Sequence, residues 1–217
     1  LAALAAVWQA EVGDAAAAER SLAESKRLFV RAAQDEKAEG IIRYISGDLI
    51  DLLRGYVEGE RPGGEDKVIA MAQPLAERYQ TLPVKNDFER SWKTFMSDQA
   101  NFVILNAATH AGRWVEAEKA ARANISALLS EGIRNDANRA EVAYFRAELA
   151  HALARQGRRG EARELLELAQ SFYTEMLPRH RENQRWIADA ITLQRALYYA
   201  QEVEPPTLPA RRAAVAE

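Results

Sequence analysis

The sequence predicts an all-α chain of about nine helices stacked as antiparallel pairs, and three observations carry that prediction. Apolar residues recur at the helical period through most of the chain. Strand signals are nearly absent, since the β-branched clusters Ile41-Ile42 and Val103-Ile104 sit inside longer helical patterns. Breakers containing Gly or Pro cut the pattern at intervals of similar length. Ala, Leu, Glu and Arg, all strong helix formers, dominate between them.

Taken in order, Gly13-Asp14 separates a first helix (1–12) from a second (15–34). Ile41, Ile45, Leu49, Leu52 and Tyr56 form the stripe of a third (36–57). The segment from Glu58 to Gly64 then breaks the chain before a fourth (65–81). That fourth helix carries Val68, Met71, Ala72, Leu75, Tyr79 and Leu82 on one face. Pro83 to Asp87 is a linker, with Asp87 as the expected N-cap of a fifth helix (88–111). Gly112-Arg113 opens a sixth (114–131). The turn from Gly132 to Asp136 again ends in an Asp expected to cap, here for a seventh helix (137–156). Gly157 to Gly160 leads to an eighth (161–177), with Ala162, Leu165, Leu166, Ala169, Phe172 and Met176 inward, and Pro178 ends it. A ninth, capping helix (182–202) has the stripe Trp186, Ala190, Leu193, Leu197 and Ala200. Pro205, Pro206 and Pro209 mark 203–217 as a tail or linker. The expected organisation is one domain over 1–202, in pairs 1–34, 36–82, 88–131 and 137–177.

Composition narrows the function classes. The chain has 217 residues, 48% hydrophobic and 28% charged, enough to bury a core. With 29 basic and 32 acidic residues, it carries no electrostatic footprint for nucleic acid or an anionic membrane. All Lys lie at or before Lys119; beyond it the Arg are interleaved with Glu and make no basic stripe. Cys is absent, which excludes disulfides, thiolate catalysis and Cys-based metal sites. The compartment stays open between cytoplasm, which is favoured, and periplasm. The longest uncharged runs, Leu1–Ala10 and Gln99–Gly112, are too short to span a bilayer. Leu1–Ala10 could also be the remnant of a secretory h-region, though no basic segment precedes it. A start without Met, in an uncapped apolar run, leads us to expect a piece of a longer protein.

The turns between paired helices fall near 13, 60, 112 and 157, a period of about 45–50 residues that marks stacked supersecondary units. Gly112-Arg-Trp-Val-Glu-Ala117 and Gly157-Arg-Arg-Gly-Glu-Ala162 share the pattern G-R-x-x-E-A, and Gly13-Asp-Ala-Ala-Ala-Ala18 is a degenerate copy. Ala150 precedes Gly157 by seven residues, and Ala162 and Ala169 come after it. This arrangement resembles the tetratricopeptide repeat (TPR) family, in which small residues at these places let paired helices cross closely. The resemblance is best over 140–177. It is fair over 88–131, where Leu105 and Asn124 replace the small residues, and weak elsewhere. The period is longer than the family's, about 34 residues. The resemblance implies a right-handed superhelical α-solenoid whose first helices line a concave surface that grips a peptide or partner helix. Counting back from each Gly places Gln99, Phe102, Asn106, Thr109 and His110 on that surface from the third pair. The fourth pair contributes Tyr144, Ala147, His151 and Arg155.

Chemistry-bearing patterns are few. Glu148 and His151 form a Glu-x-x-His, the spacing used in di-iron bundles, but neither His110 nor His180 has a Glu three residues before it. The expected reading is a polar pair on a helix surface, with no metal and no cofactor. Asp48/Asp51 and Glu161/Glu164/Glu167 lie at i, i+3 on amphipathic helices, where solvated faces are expected rather than acid–base catalysis. No nucleophile elbow, phosphate-binding loop or H-E-x-x-H occurs. Arg155, Arg158, Arg159 and Arg163 could bind an acidic segment; local pairing with Glu161 and Glu164 is the expectation. Trp92, Trp114 and Trp186 fall on or beside apolar stripes and are expected to pack in the core.

These patterns point to a non-catalytic interaction scaffold from a larger bacterial polypeptide. It would bind another protein, a peptide or a flanking part of its own chain, with neither nucleic acid nor membrane as partner. Two alternatives stay open: a regulatory or sensory region of a protease, kinase or transcription regulator, and a helical domain that binds a small molecule. The face assigned to binding could also pack on the rest of its own polypeptide.

Overall fold

The computed structural model of the chain describes residues 14–33, 41–59, 63–133 and 135–201. Among them stand eight α-helices and no strand: α1 (Ala15–Ala33), α2 (Ile41–Gly59), α3 (Glu65–Thr81), α4 (Asp87–His110), α5 (Trp114–Glu131), α6 (Asp136–Arg155), α7 (Arg159–Met176) and α8 (Gln184–Ala200). The all-α class is as the periodicity predicts. The expected helix 1–12, residues 36–40 of the third helix and the tail 203–217 lie outside the described residues.

The helix starts correct one detail of the sequence reading. Asn86 and Asn135, not Asp87 and Asp136, are the N-caps: their side-chain oxygens accept from the backbone N–H of Glu89 (2.8 Å) and Asn138 (2.9 Å). The two Asp each stand one residue inside, where a carboxylate faces the positive end of the helix dipole. Asn183 caps α8 in the same manner, accepting from Trp186 (3.1 Å).

The two G-R-x-x-E-A turns are built alike. Gly112 and Gly157 take φ of +71° and +82°, a left-handed conformation that side chains with a Cβ resist. This lets the N–H of Arg113 reach the carbonyl of Ala108 (2.8 Å) and that of Arg158 reach Leu153 (2.9 Å), closing the preceding helix. Each Arg side chain then pairs with the motif Glu, Arg113 with Glu116 at 2.7 Å and Arg158 with Glu161 at 2.6 Å. Ala117 and Ala162 end the motif, and both are fully buried.

The chain divides into two compact units, the first ending at Ala127 and the second beginning at Leu128, within α5. In the first unit α1 packs on α2, α2 on α3, and α3 most extensively on α4. Ala18, Leu22 and Val57 form a small cluster between α1 and α2. Val68, Ala72, Leu75 and Tyr79 from α3 and Met96, Ala100, Val103 and Leu105 from α4 are core residues. Leu82, the last member of the α3 stripe, lies past the helix end and is exposed. Asp48 does not lie on a solvated face as expected. It receives hydrogen bonds from Arg78 and from the Tyr79 hydroxyl (2.6 Å), joining α2 to α3. Burial together with the Asp48 carboxylate pushes the Tyr79 phenol up to about 12.

In the second unit α6 packs against both α7 and α8. Its residues from Ala147 to Ala154 are buried without interruption, the pattern of a helix covered all round. Ala162, Leu166, Ala169, Phe172 and Met176 of α7 are buried as the stripe predicts, as are Trp186, Leu193 and Ala200 of α8. Trp186 meets Phe172 edge-on, centroids 5.6 Å apart. Trp92 and Trp114 are only half-buried.

Candidate functional site

The binding face expected from the sequence divides into two halves with different fates. On α4, Gln99, Phe102, Asn106 and Thr109 are each half-buried and His110 is exposed. Their spacing, three or four residues, puts them along one side of the helix. The same line continues toward the start of α4 through Phe95, which is 42% exposed, to Trp92, whose ring lies 5.2 Å from that of Phe95. The sequence reading missed this aromatic end, because it counted back from Gly112 only as far as Gln99. Spacing alone, 92, 95, 99, 102, 106, would have found it. The stripe thus runs from aromatic rings at one end to amides, a hydroxyl and an imidazole at the other.

On α6 the corresponding face is covered by α8. Ala147 is fully buried and Tyr144 half-buried; Arg155 is exposed. His151 is only 4% exposed, which corrects the expectation that it stands open to a partner. Its ring stacks on Tyr199 of α8 (4.9 Å, 25° between planes), and the Arg155 guanidinium lies 4.8 Å over the same tyrosine. Glu148, one turn earlier, accepts a 2.7 Å hydrogen bond from Arg195 of α8. Glu141 and Arg185 stand 3.6 Å apart at the far end. These contacts climb both helices together, so α8 runs in the same direction as α6.

The Glu148/His151 pair is therefore not the polar surface pair expected. It is buried, with Glu148 4% exposed, and both residues face α8. Burial and the nearby Arg195 and Arg155 cations depress the His151 imidazole to about 4, so the ring is neutral at ordinary pH. Burial, reinforced by the Glu148 and Asp189 carboxylates, raises the Tyr144 phenol well above its usual value. Burial also raises Asp189. Among the described residues no group of three or more His, Asp or Glu converges as a metal site would require.

The Arg cluster dissolves into local contacts, as expected for Arg158 with Glu161. Arg163 lines an open groove of about 480 Å³ between α7 and α8, together with Leu166, Glu167, Gln170, Leu197 and Gln201. Glu161, Glu164 and Glu167 are exposed. No helix among the described residues is long and apolar enough to cross a membrane.

No family model matches the chain, and neither a curated protein nor a solved structure matches it.

Proposed function

We propose that the protein is a non-catalytic helical-repeat scaffold, TPR-like in its pairing, that holds a peptide or partner helix on the outward stripe of α4. One observation carries this reading. Asn106 and His151 each lie six residues before their turn glycine, and the face around His151 already seats a helix. The equivalent line on α4 presents Phe95 exposed and Gln99, Phe102 and Asn106 half-buried, with amides and aromatic rings suited to an extended backbone or an amphipathic helix.

Antiparallel pairing has support in the contacts. Arg139, near the start of α6, bonds Glu175 near the end of α7 at 2.8 Å, which two helices joined by a tight turn reach only when they run in opposite directions. Stacking of such pairs into a right-handed solenoid is part of the same proposal.

A photo-crosslinking residue at position 106 in the full chain tests the reading, with a second probe at exposed Glu164 as the comparison. The expected result is a discrete crosslinked partner from position 106. Gln99→Ala/Asn106→Ala/His110→Ala should lose it, each lost hydrogen bond costing about 1 kcal/mol of binding, while circular dichroism stays unchanged. Capture from position 164 alone, or a triple variant that binds as tightly as wild type, would move the interface off α4.

A further inference from the structure

We propose that α8 is a detachable internal ligand: it occupies the recognition face of α6 and, when it leaves, exposes a seat for an external helix presenting an Arg and a Tyr one turn apart. This rests on the reading of first-helix faces as binding surfaces.

The placement of α8 is the first argument. In the other unit, α4 comes after the pair α2/α3 and packs chiefly on the second helix of that pair, α3. By contrast, α8 comes after the pair α6/α7 and packs chiefly on the first helix, α6. It lies along the α6 face that carries Glu148 and His151.

The chemistry of the contact is the second. Beside its apolar anchors Trp186, Leu193 and Ala200, α8 engages α6 through groups that recognise rather than merely fill. Glu148 takes the Arg195 guanidinium, His151 stacks on Tyr199, and Arg155 also lies over that ring. Glu148 is buried although Arg195 keeps 41% of its side chain exposed, and burying a carboxylate is costly unless it is paired, so a permanent core has little need of one. A contact that must form, release and reject wrong partners does need it, because specificity comes from charges that are costly when mispaired.

Freedom to move is the third. Away from α6, α8 turns apolar side chains to solvent, with Ile187 44% and Ile191 67% exposed. The chain from Leu177 to Asn183 that joins α8 to α7 is a run of turns rather than helix. Terminal elements with an open face and an irregular tether open at lower free energy than the core they cover.

The experiment uses the full chain and a synthetic peptide of residues 184–201 as probe. Native-state hydrogen exchange on the unmodified protein should show α8 opening separately, exchanging at least about tenfold faster than α6 and α7. In Arg195→Ala/Tyr199→Ala the tethered helix no longer competes, so the peptide should bind at least about tenfold more tightly than to wild type. Adding Glu148→Gln to that variant should remove the gain. If α6, α7 and α8 exchange as one block, or if the peptide binds both proteins alike, α8 is an integral part of the fold and the proposal fails. Crosslinking at position 106 on α4 reports independently, so failure here and failure of the scaffold reading are distinguishable.

Discussion

The first-helix faces of α4 and α6 begin from the same register and end in opposite conditions. On α4 the line through Gln99, Phe102 and Asn106 is half-buried; on α6 the line through Tyr144, Glu148 and His151 lies under α8. The difference does not reside in the turns, since Gly112-Arg113 and Gly157-Arg158 make the same hydrogen bonds. On α6 it resides in α8, which packs along the face. A repeat motif therefore specifies where a face points, while α8 makes the α6 face an interior.

The largest expected effect separates the charges of the two regions. Arg195→Ala leaves Glu148, 5% exposed at its side chain, without that guanidinium, and should weaken the hold of α8 by about 3 kcal/mol. Arg113→Ala, whose partners Asp66 and Glu116 are 85% and 40% exposed, should cost under about 1 kcal/mol. Equal losses by denaturant titration would show that the covered face gains nothing from its ion pair.

A smaller effect concerns the crossings beneath the faces. Ala162 and Ala169 are fully buried in α7, so Ala162→Leu or Ala169→Leu should overpack by about 1–3 kcal/mol. In α5 the place of Ala169 is taken by Asn124, also fully buried, which donates to the carbonyl of Asp98 at 3.3 Å. That crossing already accommodates a larger side chain, and Ala117→Leu beside it should cost less than Ala162→Leu. An unchanged thermal midpoint for either α7 variant would mean that the α6/α7 crossing is not close.

At the turns the two regions should respond alike. Gly112→Ala and Gly157→Ala each force a Cβ into a left-handed conformation, at about 1–2 kcal/mol. Unequal costs would show that the two turns differ in ways their hydrogen bonds do not.

A pH dependence is also expected from the covered face. The unfolded His151 titrates near the ordinary value of about 6.5, and the folded one at about 4. Between these the unfolded state binds the extra proton. The contribution is therefore complete above about pH 6.5 and is lost as pH falls toward 4. Urea unfolding of His151→Gln should show a shallower acid loss than wild type over that window. Identical slopes would place the acid sensitivity elsewhere.

The features legible in the sequence were local ones. The G-R-x-x-E-A pattern encodes a positive-φ glycine, an Arg–Glu pair and a buried Ala, and all three occur twice. The Asp caps were misplaced by one residue because Asn86 and Asn135 offer an equally good acceptor and leave the carboxylate to the dipole. The illegible features depend on partners distant in the chain. Nothing near Glu148 announces Arg195, and nothing near Asp48 announces Arg78 and Tyr79. Helical periodicity assigns such carboxylates to the solvent side by default. The open stripe on α4 was visible in part, while the cover on α6 was foreseen only as general packing against its own polypeptide.

The uninterrupted burial of α6 also has a consequence for the order of synthesis. A ribosome releases α6 first, and Arg195, which closes over Glu148, emerges 47 residues later. At roughly 5–20 residues per second, the nascent chain carries that face of α6 uncovered for several seconds. α7 emerges within this interval and can shield only one side. Emerging polypeptide in that state is a substrate for holding chaperones, and slower decoding of the codons for α8 would lengthen its exposure.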